Sequence, residues 1–250
     1  MKANYRFIYL FALLLSSLLI SCDEEGEGPG GEETPEQAEN SEMYFPPVGS
    51  DEWETVTPAE IGWDTANFNE AIRFARDNRS ANLMIIHKGR IVAEEYWRQS
   101  DATTQHELNS VAKSMMGFVI GVLQENGTIN IHDKVSAYLP AGWSQSPNTE
   151  GDITIQHLLT MTSGLNEDLQ FVGRPGEVWR YSHAAYKILY DVIKAATGGS
   201  ARDYFGTALF SRIGMKNYTW TGLDLSSSAR DIAKFGLMIL NRGEWNGEKL

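Results

Sequence analysis

The stretch that decides the fold, residues 110–123, reads Ser-Val-Ala-Lys-Ser-Met-Met-Gly-Phe-Val-Ile-Gly-Val-Leu. After Lys113 it carries almost no polar surface, and Gly127 follows as a candidate helix end. A segment that is apolar nearly all round predicts a buried helix. Residues three apart lie on one face of a helix, so we expect Ser110 and Lys113 to touch.

The Ser110–Lys113 pair is the first candidate for chemistry. A lysine in apolar surroundings loses hydration, which favours its neutral form, so it can accept a proton from a hydroxyl. The pair therefore predicts a nucleophile with its own base. The pattern is weak alone, because about one Ser-x-x-Lys is expected by composition in a chain of this length. A core helix whose lysine reaches the surface is the alternative.

Three further segments, in the expected order, turn this pattern into a resemblance to a family. They read Ile-Thr-Ile-Gln-His-Leu-Leu-Thr-Met-Thr-Ser-Gly-Leu at 153–165, Pro-Gly-Glu-Val-Trp-Arg-Tyr-Ser-His at 175–183, and Ser-Ser-Ser-Ala-Arg-Asp-Ile-Ala-Lys-Phe-Gly at 226–236, which runs on to Gly-Glu-Trp-Asn-Gly at 243–247. Together with Ser110-x-x-Lys113 they resemble the serine β-lactamase and penicillin-binding-protein group, including class C β-lactamases and related esterases and amide hydrolases. The resemblance covers roughly residues 53–250.

The resemblance implies an α+β fold of the β-lactamase/transpeptidase type, an antiparallel sheet with flanking helices plus an all-α lobe. Ser110 would attack an acyl carbonyl and form an ester that water hydrolyses, and Lys113 would take its proton or hold its hydroxyl. Tyr181 matches the catalytic tyrosine, which acts as a phenolate or as an acid for the leaving group. Because Tyr181 precedes the candidate helix cap Ser182, we expect backbone donors there to stabilise a phenolate. No cofactor and no metal are expected.

Two departures from the family pattern affect the expected activity. His183 stands where class C β-lactamases have an asparagine that contacts the substrate amide and the lysine, so we assign it to substrate binding and expect poor β-lactam turnover but no barrier to acyl transfer. No Lys-Thr-Gly or Lys-Ser-Gly follows the helical lobe, and His87-Lys88-Gly89 precedes the nucleophile at a predicted turn. We therefore expect that the C-terminal strands and helix are missing and that the chain is a fragment. In the family, the strand with this motif supplies one of the two backbone N–H donors of the oxyanion hole, and loss of one such donor lowers a rate by about 10²–10³-fold.

The remaining histidines have no metal-ligand spacing. His157 lies where the family often has a histidine before a leucine pair, and we interpret it as structural. We expect His87, His106 and His132 to be exposed or hydrogen-bonded.

Local signals outline the elements around these motifs. Asp64 predicts the start of a helix over about 65–78, and two apolar runs predict a hairpin near 82–97. A mainly helical region is expected from Ser110 to about 212, with helices capped by Ser182 and Ser200, and a further helix beyond it is expected to begin at the cap Ser228. Two strands alone form a marginal sheet, so we also expect an unpaired strand edge and poor solubility of the 250-residue chain.

The N-terminus reads as a lipoprotein signal peptide at 1–21. Basic residues precede an apolar run at 7–20, and Leu-Ile-Ser-Cys at 19–22 resembles a lipobox with lipid attachment to Cys22. Cys22 is the only cysteine, so no intramolecular disulfide can form. An uncleaved anchor is the alternative. The expected location is the bacterial cell envelope, lipid-anchored at the periplasmic face or the cell surface.

An acidic segment follows the signal peptide. Residues 23–60 hold thirteen acidic residues and no Lys or Arg, which accounts for the whole net charge of −12. With its glycines and prolines, the range 22–52 predicts a disordered linker before the hydrolase domain at 53–250. No basic, aromatic-interleaved patch indicates nucleic acid binding.

Two hypotheses for function remain open. The first is a lipid-anchored serine hydrolase that makes an acyl-enzyme from an ester or amide, such as a D-amino-acid peptide, a β-lactam or an amide oligomer. The second is a degenerate, non-catalytic surface lipoprotein that binds peptidoglycan or peptide. An α/β-hydrolase is excluded because no Gly-x-Ser-x-Gly occurs.

Overall fold

The computed structural model of the protein describes residues 42–250. The predicted signal peptide at 1–21, the lipidation site Cys22 and the linker as far as residue 41 lie outside the described residues. Within the described part, no helix has the length and apolar character needed to cross a bilayer.

The described chain is an α+β structure whose strands pair antiparallel, as the resemblance implies. The elements in chain order are α1 (Thr65–Asp77), β1 (Asn82–His87), β2 (Arg90–Tyr96), β3 (Gln105–Glu107), α2 (Ala112–Glu125), α3 (Ile155–Leu159), α4 (His183–Thr197), α5 (Ala201–Phe205), β4 (Tyr218–Thr221), β5 (Asp224–Ser228), α6 (Ala229–Leu240), β6 (Glu244–Trp245) and β7 (Glu248–Lys249). Strands β1 and β2 form a hairpin, and a second sheet has the order β3-β5-β4.

The predicted helix after Lys113 is present and lies in the core. Five apolar side chains of α2 are buried: Met115, Met116, Val119, Ile120 and Leu123. They join one apolar cluster with the buried face of α4, which contributes Leu189 and Ile193. Helices α2 and α4 therefore form the rigid centre of the all-α lobe.

The predicted first helix and hairpin are confirmed. Asp64 caps α1 by accepting a 2.9 Å hydrogen bond from the Asn67 N–H. The hairpin turns at Lys88 and Gly89, whose φ angles are 45° and 85°. Two-residue turns with positive φ at both positions match the right-handed twist of the two strands. A Cβ at position 89 would overlap the Tyr44 carbonyl oxygen, so the turn requires glycine.

The outer surface of this region is incompletely covered. None of the residues of α1 is fully buried, and Phe74 is 70% exposed. Strand β1 pairs only with β2 among residues 42–250, and all six of its side chains are partly exposed. The predicted unpaired strand edge is thus present in the described part of the chain.

The folded body begins before the predicted boundary at residue 53. Phe45 packs edge-on against Trp245 with ring centroids 5.2 Å apart. The Tyr44 N–H donates to the Lys88 carbonyl at 2.9 Å, and Asp51 forms an ion pair with Lys216 at 2.7 Å. Apolar and charged side chains in the last part of the acidic segment thus find partners on the domain, which composition alone does not reveal.

The region from Ser110 to 212 is helical with two long interruptions, at 126–154 and 160–182, that the prediction did not contain. Backbone turns and side chains together hold these loops. The Glu150 carboxylate, for example, accepts from the Gly142 and Ser144 N–H groups at 2.9 and 2.8 Å. Strands β4 and β5 were also not predicted.

The three predicted serine caps are confirmed. Ser182, Ser200 and Ser228 each accept a hydrogen bond from the backbone N–H three residues later, at 3.1, 3.1 and 3.3 Å. Helix α4 ends at Gly198, whose φ of 72° lies in the left-handed region. These caps fix where α4 begins, and hence where Tyr181 and His183 lie.

Candidate active site

Ser110 lies at the junction between the second sheet and helix α2. Strand β3 pairs with β5, and the Leu108 N–H donates to the Leu225 carbonyl at 2.9 Å. Asn109 then adopts a φ of 48°, a left-handed conformation that asparagine tolerates better than most residues. The turn directs Ser110 to the exposed N-terminal end of α2, where the helix dipole favours negative charge.

Tyr181 and Lys113 both reach the Ser110 hydroxyl. The Tyr181 Oη lies 2.6 Å from Ser110 Oγ, and Lys113 Nζ donates to the same Oγ at 3.5 Å. The predicted contact between Ser110 and Lys113 is therefore confirmed, and Tyr181, two residues before α4, reaches the same hydroxyl. Their catalytic roles stay a prediction.

Lys113 is partly buried between acceptors and aromatic rings. Its Nζ lies 3.0 Å from His183 Nδ1, and it sits 5.3 and 5.6 Å from the ring centroids of Tyr181 and Tyr186. Such ring faces attract a cation. Tyr186 is 6% exposed and donates to the Lys113 carbonyl at 3.0 Å, which ties α4 to α2 next to the nucleophile.

The pKa of the Tyr181 phenol is lowered from its ordinary value of 10.0, first by the hydrogen bond with Ser110 and then by the one from Lys113. The expectation that the N-terminus of α4 stabilises the phenolate is wrong. The His183 and Ala184 N–H groups donate instead to the Glu167 carboxylate, at 2.6 and 3.0 Å. Glu167 opposes the shift, because its negative charge raises the pKa of Tyr181.

Glu167 is thus a residue of the site that sequence reasoning missed. It lies in the loop before α4 and accepts from two of the unpaired N–H groups at the start of that helix. These bonds lower the pKa of Glu167, although burial acts in the opposite direction and is the largest effect. No local pattern signals this role, since the carboxylate precedes the helix by sixteen residues.

A cleft of about 330 Å³ opens beside Ser110. One wall is the face of α4 that carries His183, Lys187 and Tyr190, and the opposite wall is the segment 223–225. The two walls meet where Lys187 and Asp224 form an ion pair at 3.3 Å. His183 therefore lies in the cleft with Ser110, as predicted, and its binding role stays a prediction.

The structural interpretation of His157 is confirmed. Thr154 caps α3 by accepting from the His157 N–H, while the Thr154 N–H donates back to His157 Nδ1, both at 3.2 Å. His106 is hydrogen-bonded to Ser100 at 3.2 Å. In residues 42–250, no three His, Cys, Asp or Glu side chains are grouped as metal ligands would be.

The His87-Lys88-Gly89 segment lies in the hairpin turn, as predicted. Its Gly89 carbonyl accepts from the Trp53 indole at 2.6 Å, and its Lys88 carbonyl accepts from the Tyr44 backbone. The segment therefore serves the packing of the N-terminal residues onto the hairpin.

The fold and the Ser–Lys–Tyr cluster define a class, the serine hydrolases of the β-lactamase/transpeptidase type. The beta-lactamase family model matches residues 66–231. The chain belongs to this family.

Relatives and solved structures agree with this assignment. An uncharacterized protein of Alkalihalophilus pseudofirmus is 29% identical over 214 residues, covering 70% of this chain and 62% of that protein. The putative penicillin-binding protein PbpX of Bacillus subtilis is 28% identical over 161 residues, covering 54% of this chain and 40% of that protein. The chain thus spans less than two thirds of the length of these curated relatives.

Two solved structures share the fold. A putative 6-aminohexanoate-dimer hydrolase from Bacillus anthracis superposes with a TM-score of 0.68 at 19% identity, over 83% of this chain and 67% of that one. A putative beta-lactamase from Bacteroides dorei gives a TM-score of 0.64 at 18% identity, over 74% and 66% of the two chains.

Proposed function

We propose that the protein is a serine hydrolase that forms an acyl-enzyme on Ser110 and cleaves an ester or an amide. The observation that carries the proposal is the 2.6 Å contact between Ser110 Oγ and Tyr181 Oη, with Lys113 Nζ on the same Oγ. A weak hydroxyl nucleophile needs such an adjacent base, and a lowered pKa is what makes a phenol able to act as one.

In the proposed reaction, the Tyr181 phenolate takes the Ser110 proton as Oγ attacks the acyl carbonyl. The carbon–heteroatom bond of the substrate then breaks, and Tyr181 returns the proton to the leaving alcohol or amine. Water attacks the resulting ester in the reverse sense and releases the acid. Lys113, as an ammonium, holds Tyr181 and Ser110 together and stabilises the phenolate.

The cleft supports small, extended substrates. Its volume of about 330 Å³ lies at the lower end of the range of small-molecule sites. Residues 183 to 190 follow α4 along one wall, a length of about 10 Å at the helical rise per residue. We propose a linear ester or amide, a class that includes the dimer named for the Bacillus anthracis neighbour.

A fluorophosphonate probe tests this proposal, because it reacts only with an activated serine. We expect the full chain to gain one adduct on Ser110, detected by mass spectrometry, and Ser110→Ala to gain none. Ser114→Ala is the matched control, since Ser114 lies on the same helix, is exposed and does not line the cleft. A folded wild-type protein that stays unlabelled would refute the proposal and favour the non-catalytic binding hypothesis.

We also propose that Cys22 carries a lipid anchor, which supports an envelope location. The proposal rests on the sequence around 19–22. Metabolic labelling with a radioactive fatty acid is expected to mark the wild type and not Cys22→Ala. Fractionation of both cultures into membrane and soluble phases is expected to place the labelled wild type in the membrane phase. Equal labelling of the two would rule the anchor out.

A further inference from the structure

We propose that His183 is a positioning residue whose neutral imidazole holds the Lys113 ammonium in place, so that protonation of His183 switches the site off. The proposal rests on the proposed hydrolase function, in which Lys113 supports Tyr181. The family resemblance already implies that the residue at this position contacts the lysine, and the new inference is the acid sensitivity that a histidine adds to this contact.

Lys113 Nζ lies among hydrogen-bond acceptors. An ammonium has three N–H donors and no acceptor. Two acceptors lie within hydrogen-bond distance of this one, Ser110 Oγ at 3.5 Å and His183 Nδ1 at 3.0 Å. The Tyr181 ring centroid is 5.3 Å away, and the lysine lowers the pKa of the Tyr181 phenol. The contact to His183 is the shorter of the two measured distances, so the imidazole fixes the position of Nζ.

This geometry assigns the histidine tautomer. Nδ1 must offer its lone pair to the ammonium, so the proton of neutral His183 resides on Nε2. Protonation gives the ring a second N–H group, now on Nδ1, which points at the Lys113 ammonium 3.0 Å away. The contact then becomes repulsive, Nζ moves away from Tyr181, and the tyrosine loses the hydrogen bond that lowers its pKa.

Charged groups from every neighbouring element act on His183. Burial lowers its pKa below the ordinary value of 6.5, and so do Lys113 on α2 and Lys187 on its own helix. Asp224 on β5 and Glu167 in the preceding loop oppose this shift. The imidazole is therefore neutral above pH 6.5, and the switch acts as the pH falls below that value.

Asparagine at this position offers a natural comparison. Its Oδ1 is separated from Cα by the same number of bonds as Nδ1 of histidine, and it accepts a hydrogen bond at any pH. His183→Asn therefore keeps the acceptor and removes the titration. His183→Ala removes both, and the two variants separate positioning from acid sensitivity.

The test is the pH profile of kcat/KM on a chromogenic short-chain ester between pH 4.5 and 9. As the pH falls through the lowered pKa of His183, the wild type is expected to enter an additional acid limb that loses about a factor of ten in kcat/KM per pH unit, because one more proton is then bound. His183→Asn should lack this additional limb, while His183→Ala should lose about tenfold or more in kcat at every pH. His132→Asn, at an exposed histidine outside the cleft, is the control.

Two results would overturn the proposal: parallel acid limbs in the wild type and His183→Asn, or wild-type kcat in His183→Ala. A separate NMR titration of the His183 ring keeps the inference testable if no hydrolysis is found. The pKa of His183 is expected below 6.5 in the wild type and higher in Lys113→Met, because the lysine charge lowers it. An unchanged pKa in Lys113→Met would also overturn the proposal, independently of the proposed hydrolase activity.

Discussion

Removing one oxygen atom from Tyr181 separates catalysis from stability more sharply than any other change in the site. The Tyr181–Ser110 distance of 2.6 Å falls within the range of a charge-assisted O–H···O bond. General acid–base catalysis supplies about 10²–10⁴-fold, and the midpoint of about 10³-fold corresponds to about 4 kcal/mol in the activation barrier. Tyr181→Phe is therefore expected to lower kcat/KM by about 10³-fold.

The same substitution is expected to leave the fold intact. The Tyr181 side chain is 46% exposed and keeps its ring, so the free energy of unfolding should change by at most about 1 kcal/mol. The assay is hydrolysis of a chromogenic ester, with urea unfolding measured on the same samples. Tyr138→Phe is the matched control, since its hydroxyl also makes a 2.6 Å bond, to Asp133 and outside the cleft. A Tyr181→Phe enzyme with more than a tenth of the wild-type kcat/KM would refute the assignment of Tyr181 as the base.

Three further substitutions test the framework around the site. Glu167→Gln should lower the free energy of unfolding by only about 0.5 kcal/mol, because the exposed carboxylate that caps α4 is screened by water. The pKa of Glu167 in the folded protein lies below 4.5, so the difference from wild type should be complete above pH 4.5 and should vanish as the pH falls through the lowered pKa. Urea unfolding at several pH values measures this difference. Gly89→Ala should destabilise the fold by about 2 kcal/mol or more, because position 89 has a φ of 85° and an added Cβ would overlap the Tyr44 carbonyl oxygen. An unchanged Tm would contradict the requirement for glycine in this turn. Tyr186→Phe should cost about 1 kcal/mol through the lost bond to Lys113, with equal urea midpoints as the contrary result.

Local sequence signals predicted those parts of the site that one element supplies by itself. Ser110 and Lys113 are three residues apart at the start of a helix, so their contact follows from helical geometry. The serine caps were predictable for the same reason, since each bonds a backbone group three residues away. Tyr181 was found through the family motif, because no local rule brings it to Ser110 across seventy-one residues.

Contacts between distant segments account for what the sequence did not show. Glu167 binds a helix that begins sixteen residues later, and only the folded loop brings the two together. Strand β5 was not predicted because its last residue, Ser228, indicates a helix cap, whereas pairing with β3 and β4 makes the residues before it a strand. The domain begins before residue 53 because Phe45 packs on Trp245 and Asp51 pairs with Lys216. The acidic composition of this segment predicts a linker, since composition does not show such tertiary contacts.

The surroundings of the two candidate bases favour Tyr181 over Lys113 as the group that receives the serine proton. Lys113 Nζ faces the oxygen of Ser110, the ring nitrogen of His183 and two aromatic faces, all of which stabilise an ammonium. Tyr181 faces the donors Ser110 and Lys113, which stabilise a phenolate. In the proposed reaction, Tyr181 Oη, 2.6 Å from Ser110 Oγ, is therefore better placed than Lys113 to receive the serine proton. The sequence left both assignments open because Ser-x-x-Lys specifies that the lysine is near the serine, and only the folded structure shows what else surrounds it.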